Sequence, residues 1–195
     1  MFRVPAPFQA RLPQSPEPLP GSPAVVILGS EGWLPNRDGL TWFLHQVWPV
    51  LRQRLPAAVL HVFGIVNRPL GSFPEVVWHT PPHRIEPAFA PGSILAVPLR
   101  IASGVRIKVL EAWARGVPVV ATPQAASGLE AQAGRELLLA GNEEEFATAI
   151  ANLHHEPQRA TALTAAGRAL LEKHHAPGRV ASQLVEIYRS VLQPR

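Results

Sequence analysis

Cysteine is absent from the 195 residues, which removes disulfides, thiolate metal sites and cysteine nucleophiles together and fits a cytoplasmic protein. Lysine is almost absent: Lys108 and Lys173 stand alone among 18 lysines and arginines. No window reaches the ~18 consecutive apolar residues of a membrane span, and the N-terminus has no apolar run like the core of a signal peptide, so neither is expected. The patterns GxGxxG and GxSxG, a Walker loop and zinc-ligand spacing are missing too, which leaves dehydrogenase, NTPase and hydrolase chemistry without its usual residues. The arginines are scattered rather than run together, so the net charge of +4 points to small anionic ligands and away from a nucleic-acid groove.

What is present is a folded composition. Hydrophobic residues are 47% and charged residues 16% of the chain, enough apolar surface for one continuous core and too few residues for two full α/β domains. Residues 1–23 hold seven prolines without an apolar period and read as an extended Pro-rich linker rather than a packed element. From Ala24 onward, short apolar runs (AVVILG, AAVLHVFG, VVWH, SILAVPL, VPVVAT, LLLA) alternate with helical stretches. That alternation predicts a parallel α/β sheet with helices on both faces, spanning residues 24–195.

Leu40, Phe43, Leu44, Val47, Leu51 and Leu55 recur at helical spacing, with Asp38 as the expected N-cap and Pro49 as a kink or restart. Gly64 and Gly116 fall where a strand and a helix end. A terminal helix is expected over about 177–193, with Leu184, Ile187, Tyr188 and Val191 along it.

The stretch from Ser93 to Glu130 reads strand, small-residue loop, helix, strand and a second glycine-containing loop. Ser103 and Gly104 stand between strand and helix, where free backbone N–H groups and the positive end of the helix dipole can hold a diphosphate. Arg106 and Lys108 follow with cations for the same anion. Glu111, about a turn and a half into the helix, is placed to accept hydrogen bonds from two ribose hydroxyls. Lys108, Glu111 and Arg115 also have the three-and-four spacing of a solvated face that forms weak ion pairs, and spacing alone leaves both readings open.

These residues carry a resemblance. The strand PLR, the loop and helix SGVRIKVLEAWARGVPVVAT and the later ASGL and GRELLLA are similar to the C-terminal domain of the retaining, group 1 (family 4) glycosyltransferases of the GT-B fold. GSEGWLPNRDGLTWFLHQVWP near the start and the terminal helices extend the likeness over nearly all of 24–192. The resemblance implies one Rossmann-like GT-B half-domain that binds a nucleotide-sugar, with UDP or GDP as the nucleotide. Ser103, Gly104, Val105, Arg106 and Lys108 would hold the diphosphate and Glu111 the ribose. Ser103 replaces a second Glu that the family commonly places seven intervening residues before the ribose one. Arg37 stands in the loop where the family often has phosphate clamps. The acceptor-binding half of the fold is not among these 195 residues, and the linker stands where its remnant would be.

Several residues compete for a role. His79, at the end of VVWH, is on the ligand edge of the sheet and is a candidate for the base or donor sugar, with a purely structural role as the alternative. His154, His155, His174 and His175 form two adjacent pairs. Neighbouring helical side chains diverge, so these read as surface residues and no metal site is expected. Trp42, Trp48 and Trp113 fit helical core faces, while Trp33 is in a loop.

Two readings result. In one, the chain is the nucleotide-sugar-binding half of a retaining glycosyltransferase, without cofactor or assignable catalytic base and inactive until joined by an acceptor domain. In the other, it is a noncatalytic interaction module, such as a truncated product or one subunit of a split transferase, whose C-terminal helix exposes an apolar stripe to a partner or a second copy.

Overall fold

The computed structural model describes residues 4–15, 17–69, 71–80, 85–101, 104 and 106–192. Every predicted apolar run forms a strand: β1 (Ala24–Leu28), β2 (Val59–Phe63), β3 (Val76–His79), β4 (Ile94–Val97), β5 (Val119–Ala121) and β6 (Leu138–Leu139). All adjacent pairs are parallel, in the order β3-β2-β1-β4-β5-β6. That order reverses direction between β1 and β4, the switch point at which open α/β sheets bind ligands beyond the carboxyl ends of their strands.

Alternation along each strand divides the apolar residues between two cores. Val25 and Ile27 join Leu60, Val62 and Ala96 on one face, under α1 (Leu34–Trp42), α2 (Trp48–Arg54) and α5 (Glu143–His155). Val26, Phe63, Leu95 and Val97 face the other way, against Val109, Leu110 and Trp113 of α3 (Ile107–Arg115). Trp48 and Trp113 are fully buried, and each indole N–H finds a backbone carbonyl, Pro74 and Glu136 respectively, at 2.9 Å. Gly64 adopts φ +78°, and a Cβ there would lie 2.2 Å from the carbonyl oxygen of Gly29. The ends of β1 and β2 therefore touch backbone to backbone.

The first helix starts earlier than expected. Trp33 is its N-cap residue, without a side-chain cap, and Pro35 stands in its first turn, where a missing N–H costs nothing. Asp38 is not the cap: it lies inside α1 and receives the guanidinium of Arg100, at 3.0 Å to Oδ2 and 2.5 Å to Oδ1. Pro49 does restart the helix, since a π turn at Phe43–Val47 separates α1 from α2 and Pro49 occupies the first turn of α2.

The N-terminal segment differs from the reading of an unpacked linker. Its backbone is extended, but it lies on the domain as a strap: Phe8 N–H donates to the His175 carbonyl at 2.7 Å, Leu12 N–H to Ala114 at 3.1 Å and Ser22 N–H to Ala57 at 2.8 Å. Phe8, Ala10, Leu12 and Leu19 pack on the α3-side core. A proline-rich chain cannot form a ladder, so it meets its hydrogen-bond needs one carbonyl at a time.

His175 belongs to this anchorage. It is buried with Nδ1 2.7 Å from the Ala6 carbonyl, which corrects its reading as a surface residue.

The remaining elements are α4 (Pro123–Ala126), α6 (Pro157–Leu170) and α7 (Pro177–Leu192). Only Val180 of α7 is buried, while Val185, Tyr188, Val191 and Leu192 stand exposed. Among the described residues no helix is long and apolar enough to cross a membrane.

Candidate functional site

The first turn of α3 lies beyond β4, beside the switch point. Gly104 is exposed there, and Arg106, 4% exposed, serves as the N-cap residue. The Arg106 guanidinium turns back to the Gly104 carbonyl and reaches the Gln124 carbonyl at 3.4 Å. It thereby ties the turn before α3 to the start of α4. Burial lowers the pKa of this guanidinium. Ser103 and Val105 lie outside the described residues.

Lys108 reaches across the switch point. Its Nζ donates to the carbonyl of Leu28, the last residue of β1, and to Asn36 Oδ1 at 3.0 Å. Both acceptors are neutral. Burial and then the nearby charge of Arg106 bring the Lys108 pKa down to about 8. Two cations thus share a partly dry corner at the positive end of a helix, and their mutual repulsion is a preference for an anion.

Asn36 is a residue that sequence reasoning missed. It is buried and fixed from its other end, with Nδ2 3.3 Å from both the carbonyl and the hydroxyl of Ser30. Its acceptor oxygen is thereby aimed at Lys108. The two residues are 72 positions apart, so no local pattern signals the pair.

Glu111 lies on the same helix, with its side chain 13% exposed and its Oε1 3.1 Å from Nη2 of Arg115. The i, i+4 pair foreseen as the alternative does form, but in a nearly buried setting and without Lys108. Arg115 also donates to the Pro13 carbonyl of the strap, stands 4.0 Å from Glu86 Oε1 and places its Cζ 5.7 Å from the centre of the Phe89 ring.

Arg37 and His79 are engaged elsewhere. Arg37 has its side chain 54% exposed and lies 3.9 Å from Glu31. Glu31 in turn receives the N–H groups of Val66 and Asn67 at 2.6 and 2.9 Å, hydrogen bonds that hold its carboxyl pKa low, those from Asn67 foremost. The loops after β1 and β2 are joined by this contact. His79 stacks on Phe63 with centroids 3.9 Å apart and places Nε2 2.9 Å from Nδ1 of His61, whose Nε2 lies 2.8 Å from the Pro20 carbonyl. Because His61 must donate through Nε2, its Nδ1 accepts from His79. Burial lowers the pKa of both rings, and the neighbouring His61 lowers that of His79 further.

Among the described residues no three His, Asp or Glu side chains gather as a metal centre would require. A recess of about 510 Å³ lies away from Lys108, between Gly128–Glu130 and the start of α7, where Lys173, Arg179 and Glu186 line it.

Comparison with known proteins agrees with this architecture. A family model described as glycosyl transferases group 1 matches residues 22–156. TarM is similar in structure with a TM-score of 0.75 at 13% identity, covering 96% of this chain and 39% of its own. Anabaena Alr3699/HepE in complex with UDP-glucose gives 0.67 at 17% identity, over 86% and 49%. The C-terminal domain of LpcC, a glycosyl transferase group 1 family protein from Francisella tularensis, gives 0.67 at 13% identity, over 87% and 99%. The chain thus spans under half the length of the first two and nearly all of the third. At these identities the likeness shows the fold. No curated protein sequence matches the chain.

Proposed function

The chain belongs to the glycosyl transferases group 1 family, and from that premise we propose that it is the nucleotide-sugar-binding half-domain of a retaining glycosyltransferase. The observation that carries this reading is Lys108, whose ammonium sits over the carboxyl end of β1 with only neutral acceptors among the described residues and with Arg106 beside it. A diphosphate placed there exchanges neutral acceptors for anionic ones, so that donor and acceptor are both charged. Glu111, one turn further along α3, takes the ribose hydroxyls. In the completed enzyme the same cations stabilise the leaving diphosphate as the glycosidic bond forms. The Anabaena protein of similar fold, crystallised with UDP-glucose, supports a uridine or other nucleoside diphosphate as the ligand class.

Calorimetric titration with UDP, GDP and ADP tests the proposal. Binding of one of them that is lost in Lys108→Ala and Glu111→Ala supports it. Binding of none, or binding indifferent to both substitutions, contradicts it.

A noncatalytic interaction module is the second reading, and α7 favours it. Val185, Tyr188, Val191 and Leu192 are 46%, 63%, 65% and 78% exposed, a stripe of the kind that marks an interface. Under this reading the chain self-associates or captures an acceptor domain through α7 and binds no nucleotide.

A further inference from the structure

The feature that the donor-site reading leaves unused is the placement of Arg115. Its side chain is 5% exposed, and its guanidinium is held on three sides: by the Pro13 carbonyl of the strap, by Glu111 and by the Phe89 ring, with Glu86 at 4.0 Å. The strap is held in turn by the hydrogen bond of Leu12 to Ala114, at the end of the same helix. We propose that Arg115, braced by the strap, is a positioning residue that fixes the Glu111 carboxylate for a ribose diol and so sets a preference for ribonucleotides. This inference rests on the proposed donor site.

The physical basis is the difference between a tethered and a free carboxylate. A glutamate on a solvated helix face samples several rotamers and loses that freedom on binding. Glu111 instead has Oε1 held at 3.1 Å by a guanidinium that is itself held by the Pro13 carbonyl and lies over the Phe89 ring. The remaining lone pairs, including those of Oε2, are left for a ligand. A fork-shaped cation can hold the strap carbonyl and Glu111 at the same time, whereas an ammonium is a single point. The strap therefore takes part in nucleoside recognition without touching the nucleoside.

The test compares binding of UDP, 2′,3′-dideoxy-UDP and inorganic pyrophosphate by the whole chain and by Arg115→Met and Arg115→Lys. Methionine keeps an apolar stem against Phe89 and lysine keeps the charge. The wild type is expected to bind UDP at least about tenfold more tightly than the dideoxy analogue, as loss of hydroxyls from a site built for them implies. Both variants should shrink that ratio to about threefold or less while pyrophosphate affinity is unchanged.

A wild-type ratio in both variants would overturn the role of Arg115 and leave the donor site standing. Loss of pyrophosphate binding in both would also overturn it, because a residue that acts only through Glu111 leaves the first turn of α3 intact. A wild type indifferent to the ribose hydroxyls would remove both the donor-site reading and this inference.

Discussion

The ammonium of Lys108 lies 3.0 Å from the side-chain oxygen of Asn36, an acceptor without charge at the point where the sheet changes direction. A carboxylate in that position would neutralise the lysine. An amide holds it in place and leaves its charge available.

Asn36→Asp is accordingly expected to fold and to bind poorly. The new carboxylate would pair with Lys108 and compete with any diphosphate, weakening UDP by about tenfold or more, the scale of one charge-assisted contact. Thermal unfolding would stay within a few degrees of wild type. Calorimetry beside a melting curve separates the two effects.

The depressed pKa of Lys108 sets a pH dependence. Diphosphate binding needs the ammonium, so affinity should be full below pH 8 and fall toward tenfold per unit above it, the free lysine having its pKa at about 8. Stability of the free protein runs the other way. The unfolded lysine keeps its proton up to about 10.5 while the folded one loses it near 8, so the unfolded state binds more protons in that window and stability rises with pH across it. Lys108→Met should flatten both profiles, measured by calorimetry and by urea unfolding between pH 7 and 10.

The strap makes a prediction that separates it from a linker. Phe8 is partly buried and packs on the α3-side core, so Phe8→Ala should cost about 1 to 2 kcal/mol in urea unfolding, the scale for removing a partly buried aromatic side chain. An unpacked linker would give no change.

His61 predicts weakness in acid. Burial lowers its pKa below 6.5, so on unfolding it takes up a proton near pH 6.5 that the folded ring resists. Stability should fall as pH drops below that value. His61→Phe should lessen the slope of the urea midpoint between pH 6.5 and 5, since an unprotonatable ring removes that proton uptake.

The sheet could be read from the sequence because its strands are short apolar runs, the four central ones buried on both faces, and every one of those runs forms a strand. The start of α1 could not. Trp33 caps it without a side-chain hydrogen bond, so the Asp38 that looks like a cap is taken by Arg100 instead. Strap packing was hidden because a proline-rich segment has neither period nor ladder, and His175, its anchor, looks like any helix-end histidine.

In the site, Lys108 and Glu111 stand three apart on α3 with Arg106 at its N-cap, and the first two share a face by 3.6-residue geometry. Asn36 reaches Lys108, and Pro13 and Glu86 reach Arg115, only through the tertiary fold. Spacing also could not tell a solvated Glu111–Arg115 pair from a buried one, because i and i+4 are the same in both.

Where a nucleotide binds on this domain separates the two readings. Amide chemical-shift mapping with UDP locates it in one titration. With UDP at the start of α3 the largest shifts fall at Gly104 and from Arg106 to Glu111, with Asn36 moving as Lys108 leaves it. Shifts confined to Gly128–Glu130 and the start of α7, or no shifts at millimolar UDP, would contradict it.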